Sequence, residues 1–268
     1  MEAGGVSGDR RHGCVILGSG NVASGLAPAL DESGIEVRQV YSRNIDHASE
    51  LAGQIGAEAV DRIEDIVRDA RLYVVSLSDD AVAPTAAAMR GTGGLWVHTA
   101  GGVDASVLAP ASKSYGVLYP LQTFSKGRKV DMRNVPLFIE GADSGAMSEI
   151  REIAQRLSDN VSEADSRKRL VLHAAAVFAC NFVNYLWGTA DEILKADGED
   201  LHVLEPLIRE TLAKAMAMPP RQAQTGPARR GDTKVAERHK AVITPDQARL
   251  YNILAEAIAK EYAGPQTL

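Results

Sequence analysis

The turn Gly18-Ser19-Gly20 separates an apolar run, Cys14 to Leu17, from a segment that places Val22, Leu26 and Leu30 on one side of a helix. Strand, glycine turn and apolar helix in that order open an α/β unit whose helix start presents unpaired backbone N–H groups to an anion. Gly18 permits the tight turn, Gly20 lets backbone approach a pyrophosphate, and Ala23 is small enough for close packing of helix on strand. Gly18, Ser19, Gly20, Asn21 and Val22 are therefore the candidate contacts to a dinucleotide.

The pattern downstream supports the same architecture. Short runs alternate with helical patterns: Val37 to Tyr41, Leu72 to Leu77, Leu95 to Thr99, Val117 to Tyr119 and Leu137 to Glu140 read as strands. Helices are expected over Val22 to Asp31, His47 to Ile55, Ile63 to Asp69, Val82 to Met89, Ser106 to Leu108 and, capped by Ser144, from near Gly145 to about Ser158. Such alternation means βαβ units and a mostly parallel sheet covered on both faces. Past residue 160 the strand signals cease, and helices are expected over Ser166 to Ala196, Leu201 to Met216, Arg229 to Val242 and Pro245 to Glu261. The reading is a loose tail over 1–12, a Rossmann-like α/β domain over 13–160 and an all-helical domain over 161–268. The linker from Met218 to Pro227 is too rich in proline and glycine to be helix.

Composition narrows the partners. A net charge of -6 provides no basic surface for nucleic acid or anionic lipid, and two cysteines among 268 residues make no disulfide framework. A reducing cytoplasm fits. The stretch Leu170 to Trp187 is as long as a membrane span, but His173, Asn181 and Asn184 interrupt it and no second span follows. It is expected to be a buried helix. No histidine or cysteine spacing suits a metal.

At the tip of the second strand, where a carboxylate would select NAD, the chain reads Tyr41-Ser42-Arg43-Asn44. Arg43 offers a fork of donors for a 2′-phosphate and Ser42 a hydroxyl, which points to NADP(H). The loops at the other strand ends, Ser76-Leu77-Ser78 and His98-Thr99-Ala100-Gly101-Gly102, should line the same crevice.

Together these segments resemble the NADP oxidoreductases of the deazaflavin-coenzyme-dependent type, relatives of pyrroline-5-carboxylate reductase, ketopantoate reductase and the β-hydroxyacid dehydrogenases. The motifs Val40-Tyr41-Ser42-Arg43, Val97-His98-Thr99-Ala100-Gly101, Tyr119-Pro120-Leu121-Gln122-Thr123-Phe124-Ser125, His173 with Asn181, and Thr225-Gly226-Pro227-Ala228-Arg229-Arg230-Gly231-Asp232 are similar to a largely uncharacterised branch. That branch joins a Rossmann-like domain to its own helical domain. The resemblance implies an NADP-binding domain and a helical dimerisation and substrate domain, hence a homodimer. It also departs from its relatives: where they carry a lysine with an asparagine one turn later, this chain has Lys168 and then Leu172, so the lysine's role is not transferred.

Reduction of a carbonyl or imine needs a group to stabilise or protonate the developing negative charge. His98, His173 and Asn181 are the catalytic candidates, and Arg229 and Arg230 with Asp232 form a candidate carboxylate clamp at a helix start. Three functions stay open. The leading one is NADPH-dependent reduction of a small anionic carbonyl compound, such as a ketopantoate-like 2-oxo acid. Hydride exchange with a deazaflavin, or imine reduction, is the second, and an NADP-binding sensor without turnover is the third.

Overall fold

Runs of four or five apolar residues supply the centre of an eight-stranded sheet in the computed structural model, which describes residues 13–263. The tail expected over 1–12 lies outside the described residues. The strands are β1 (Cys14–Leu17), β2 (Val37–Tyr41), β3 (Glu58–Val60), β4 (Leu72–Val75), β5 (Leu95–His98), β6 (Ser114–Pro120), β7 (Leu137–Gly141) and β8 (Val161–Glu163), in the order β3-β2-β1-β4-β5-β6-β7-β8. All neighbouring pairs are parallel except β6 and β7, whose antiparallel register sets Val117 against Glu140 and Tyr119 against Phe138. The strand order reverses at β1, so the helices that follow β1 and β4 lie on opposite faces and a crevice opens above the two strand ends.

Helices α1 (Asn21–Glu32), α2 (Ile45–Ile55) and α4 (Ser144–Leu157) bury Leu26, Leu30, Leu51, Ile150 and Leu157 in a core on one sheet face. Helix α3 (Asp79–Ala88) packs Val82 and Ala86 into the core on the other face. There Tyr73 and Trp96 stack at 4.6 Å, and each satisfies its polar tip: Tyr73 donates to Val67 O at 2.9 Å and Trp96 to Gly93 O at 3.0 Å.

The chain forms two compact units, one ending at Cys180 and the other beginning at Asn181. The boundary lies later than the expected residue 160, because β8 pairs with β7 and α5 (Ser166–Ala176) packs with the sheet unit. In the second unit α6 (Val183–Lys195), α7 (Glu205–Ala217), α8 (Pro220–Ala223), α9 (Pro227–Arg230), α10 (Thr233–Lys240) and α11 (Pro245–Tyr262) are all helical, as expected. Thr244 and Gln247 form a reciprocal cap at the start of α11.

The differences from expectation have local causes. The helix expected over Ile63 to Asp69 shrinks to one 3-10 turn, Ile63–Asp65, and the turn at Ala105–Leu108 is likewise 3-10. Asp143 rather than Ser144 caps α4, accepting from Ala146 N–H at 2.8 Å. Proline at the first position of α8 starts a one-turn helix inside the expected linker. Residues Val177–Phe182, between α5 and α6, are π-helical.

The largest difference concerns burial. The continuous helix Ser166–Lys195 has a window of mean hydropathy 1.5, long and apolar enough to cross a membrane, yet none of that window is buried. Val171 on α5 is 62% exposed, and Leu207, Leu212 and Met216 on α7 are 63%, 61% and 75% exposed. An apolar run signals that a face must be covered but not which molecule covers it.

Candidate functional site

The crevice begins at the glycine turn. Gly18 has φ +123°, and a Cβ there would lie 2.2 Å from Ser76 O, so the ends of β1 and β4 can approach only without a side chain. A Cβ on Gly20 would meet nothing within 4 Å, which leaves open space over the start of α1. That helix has neither a side-chain cap nor an acidic residue in its first turn. Its N–H groups and positive end are therefore directed at that space, the arrangement a pyrophosphate requires. Ser19 is buried within the turn, while Asn21 is exposed and Val22 half-buried.

At the end of β2, Ser42 N–H donates to Val60 O at 3.0 Å, and the exposed Arg43 makes no hydrogen bond or ion pair among the described residues. Asn44 caps α2, accepting from Asp46 and His47 N–H at 2.9 and 3.3 Å. Arg43 is thus held at a fixed backbone position with its guanidinium available to an anion. Across the crevice, Ser76 and Thr99 share a hydrogen bond at 3.1 Å, and Leu77 and Ser78 lead into α3. These residues fit a dinucleotide carrying a 2′-phosphate. A separate cavity of about 540 Å³ lies between α1, α2 and residues 125–133 and touches the glycine turn at Ser19. Ion pairs Lys126–Glu50 and Lys129–Glu32 join its walls.

His98 is not placed to exchange protons. It ends β5 with no exposed surface, its Nδ1 accepts from Ala100 N–H at 3.2 Å, and its Nε2 has no hydrogen bond of good geometry. Burial, then the charge of Arg169, pushes its pKa down to about 4, with Asp104 opposing. A neutral imidazole enclosed in the sheet is a packing residue.

His173 is placed differently. Its ring occupies the space beside Gly101, where a Cβ would come 2.6 Å from Cγ, and its Nδ1 lies 3.0 Å from Tyr119 Oη. Tyr119 is buried at the end of β6, and burial raises its pKa while the Arg169 charge opposes. Tyr119 Oη and Nδ1 share this hydrogen bond, and in the tautomer that accepts from the phenol the ring N–H is on Nε2. His173 is exposed, which puts that N–H within reach of a ligand. Tyr119 and Arg169 are the two participants that sequence reasoning missed. Tyr119 stood only within a longer motif, and an arginine in the first turn of a helix carries no signal of burial.

Arg229 donates to Gln224 O and lies over the Tyr262 ring at 5.0 Å, while Asp232 caps α10, accepting from Val235 N–H at 3.1 Å. Arg229 and Asp232 are engaged in holding α9, α10 and α11 in place, and Arg230 is exposed. Asn181 is exposed in the π-helical segment. Among the described residues no group of three or more His, Cys, Asp or Glu side chains is disposed to hold a metal ion.

Two measurements follow from this geometry. Replacing Arg43 with Ala should weaken NADPH by about tenfold or more and leave NADH nearly unchanged, since a charged hydrogen bond is lost for one ligand alone; equal losses would place the 2′-phosphate elsewhere. For His98, the folded pKa lies below the unfolded one, so the unfolded chain takes up the proton first as pH falls. Stability should be flat above the unfolded pKa and fall by up to about 3 kcal/mol on acidification through the folded one. Urea unfolding of the wild type and His98→Asn at about pH 7.5 and about pH 4.5 checks this: the variant should lose much less on acidification, and equal losses would overturn it.

Residues 14–95 match the family described as NADP oxidoreductase, coenzyme F420-dependent, and residues 135–258 match a domain of unknown function, DUF2520. No curated protein matches. A Bacteroides fragilis protein inferred to be an NADP oxidoreductase is 40% identical, with 92% of this chain and 97% of that one covered at a TM-score of 0.88. A reductive aminase of Aspergillus terreus, solved with NADPH and ethyl-5-oxohexanoate, is 14% identical over 93% and 94% of the chains with a TM-score of 0.68. An imine reductase of Myxococcus stipitatus, solved with NADP+, is 17% identical over 92% of each chain with a TM-score of 0.58. With the glycine turn, the Ser42-Arg43 tip and this likeness over most of its length, the chain belongs to the NADP(H)-dependent oxidoreductases that join a Rossmann-like domain of the coenzyme F420-dependent type to a DUF2520 helical domain.

Proposed function

We propose that the protein is an NADPH-dependent reductase of a C=N or C=O bond, with His173 as proton donor. The observation that carries this reading is the Tyr119–His173 hydrogen bond at 3.0 Å beside Gly101, at the carboxyl end of the sheet. When bound, NADPH supplies the hydride with its electron pair. The π electrons of the acceptor bond move onto its nitrogen or oxygen, and that atom takes the proton from His173 Nε2 while Tyr119 passes its phenol proton to Nδ1, so that the ring stays neutral and the negative charge ends on the phenolate. Tyr119 holds the ring in the tautomer that has this proton to give, and solvent at the exposed ring restores it.

Of the acceptors considered, an imine suits the surroundings best. Arg229 and Asp232, expected in a clamp for an anionic 2-oxo acid, make other contacts, and Asp79 Oδ2 would be 3.5 Å from a Cβ on Gly102. A carboxylate there favours a neutral or cationic acceptor over an anionic one. The fold shared with reductive aminases and an imine reductase adds support. We place the reaction in the cytoplasm, which suits the free cysteines Cys14 and Cys180. We also propose a homodimer formed through the apolar helical surfaces, because identical copies can cover the same face reciprocally.

The test follows consumption of NADPH with cyclic imines, ketone and amine mixtures, 2-oxo acids including a ketopantoate-like acid, and an oxidised deazaflavin. Turnover of imines is expected, and His173→Asn should lower kcat by about 100-fold while NADPH affinity holds. Preference for 2-oxo acids would restore the anionic reading. A deazaflavin reaction indifferent to His173 would make the activity hydride exchange, and tight NADPH binding without turnover would make the protein a sensor. Sedimentation should give twice the 28.5 kDa chain mass, and Leu212→Asp should shift it toward the monomer; a wild-type monomer overturns the dimer.

A further inference from the structure

Arg169 has no exposed surface, although guanidinium groups are almost never fully buried without partners. Its fork reaches three groups: Nη1 donates to Glu140 Oε2 at 2.5 Å, and Nη2 donates to Val103 O at 2.5 Å and to Ser166 Oγ at 3.3 Å. Nε is buried with no partner. A buried ion pair with an unmatched donor is not what stability alone selects, because apolar residues of similar volume often serve as well.

The partners lie on β7, on the turn beside the His173 ring and on α5 itself. Glu140 is on β7, opposite Val117, two residues before Tyr119 on β6. Val103 ends the turn that contains Gly101 and Gly102. Ser166 opens α5, on which Arg169 and His173 are four residues apart and so lie one above the other on one face. The two amino groups of the guanidinium bridge the helix to the strand and to the turn at once. This fixes both the rise and the rotation of α5.

We infer that Arg169 is the positioning residue of the site, holding α5, β7 and the 101–103 turn at the separation that seats the His173 ring on Gly101 and against Tyr119 Oη. The contacts belong to the free protein, and only their catalytic consequence rests on the reductase reading above. A lysine could keep the charge but not span both acceptors, since it lacks the planar fork.

The experiment uses the full chain with nitrogen-labelled histidine and reads the His173 ring tautomer by NMR. The wild type should show the form protonated at Nε2, and Arg169→Met should give a mixture of tautomers with NADPH affinity changed less than about twofold, because the glycine turn is elsewhere on the sheet. With an acceptor that the wild type reduces, the rate should fall by about tenfold or more. Arg169→Lys should resemble Arg169→Met, and Glu140→Gln, which retains the shape and an acceptor, should shift the tautomer signal part of the way. If Arg169→Met does not fold, Glu140→Gln decides. An unchanged tautomer in a folded variant overturns the inference. So does recovery of the wild-type signal by Arg169→Lys, which would make charge alone sufficient. Should the wild type reduce no acceptor, the reductase reading fails while the tautomer still decides the role of Arg169.

Discussion

The close approach of β1 and β4 at Gly18 and Ser76 O is the constraint on which the sheet unit is built. Two parallel strands can leave β1 in opposite directions only if the chain turns sharply above it, and the absence of a side chain at Gly18 permits that turn. From this point the start of α1 faces open space, Ser42 and Arg43 stand on one side, and Ser76 and Thr99 on the other. The cofactor half of the site is thus mostly backbone. Its geometry is inherited from strand order and depends little on rotamers.

The chemical half obeys a different logic. Tyr119, His173, Glu140 and Arg169 come from β6, α5 and β7, and their arrangement depends on side chains at the centre of the polar network being withdrawn from water. Burial keeps Tyr119 protonated, and the same burial together with the Arg169 charge keeps His98 neutral. Two histidines beside the same turn therefore have opposite fates. One is sealed within the sheet, and the other rests on a glycine with its ring open to solvent.

How much of this was legible in the sequence depends on the range of the interactions. The limits of β1 and β2, the glycine turn and the helical nature of the second unit follow from local patterns, and the structure reproduces them. Strands β3 and β8 escaped notice because three residues, Glu58–Val60 or Val161–Glu163, are too short to display alternation. The helix expected from Ile63 fails because its apolar residues pack as a 3-10 turn and a loop rather than as a continuous stripe. At the site, Gly18, Ser42 and Arg43 could be read from spacing, whereas Tyr119 and Arg169 gain meaning only through partners 54 and 29 residues away. Arg229 and Asp232 show the converse: residue types suited to a clamp also make a cation–π contact and a helix cap, which spacing does not reveal.

The shortness of β3 and β8 has a consequence for assembly. They are the outermost strands of the sheet, each only three residues long and each bearing a glutamate, Glu58 or Glu163, that is exposed. Such margins offer little backbone for another chain to add to, and their charge discourages stacking of sheets end to end. The chain thus guards its ribbon against uncontrolled polymerisation while leaving wide apolar helical faces bare, a division of labour in which growth by strand addition is blocked and finite pairing remains open.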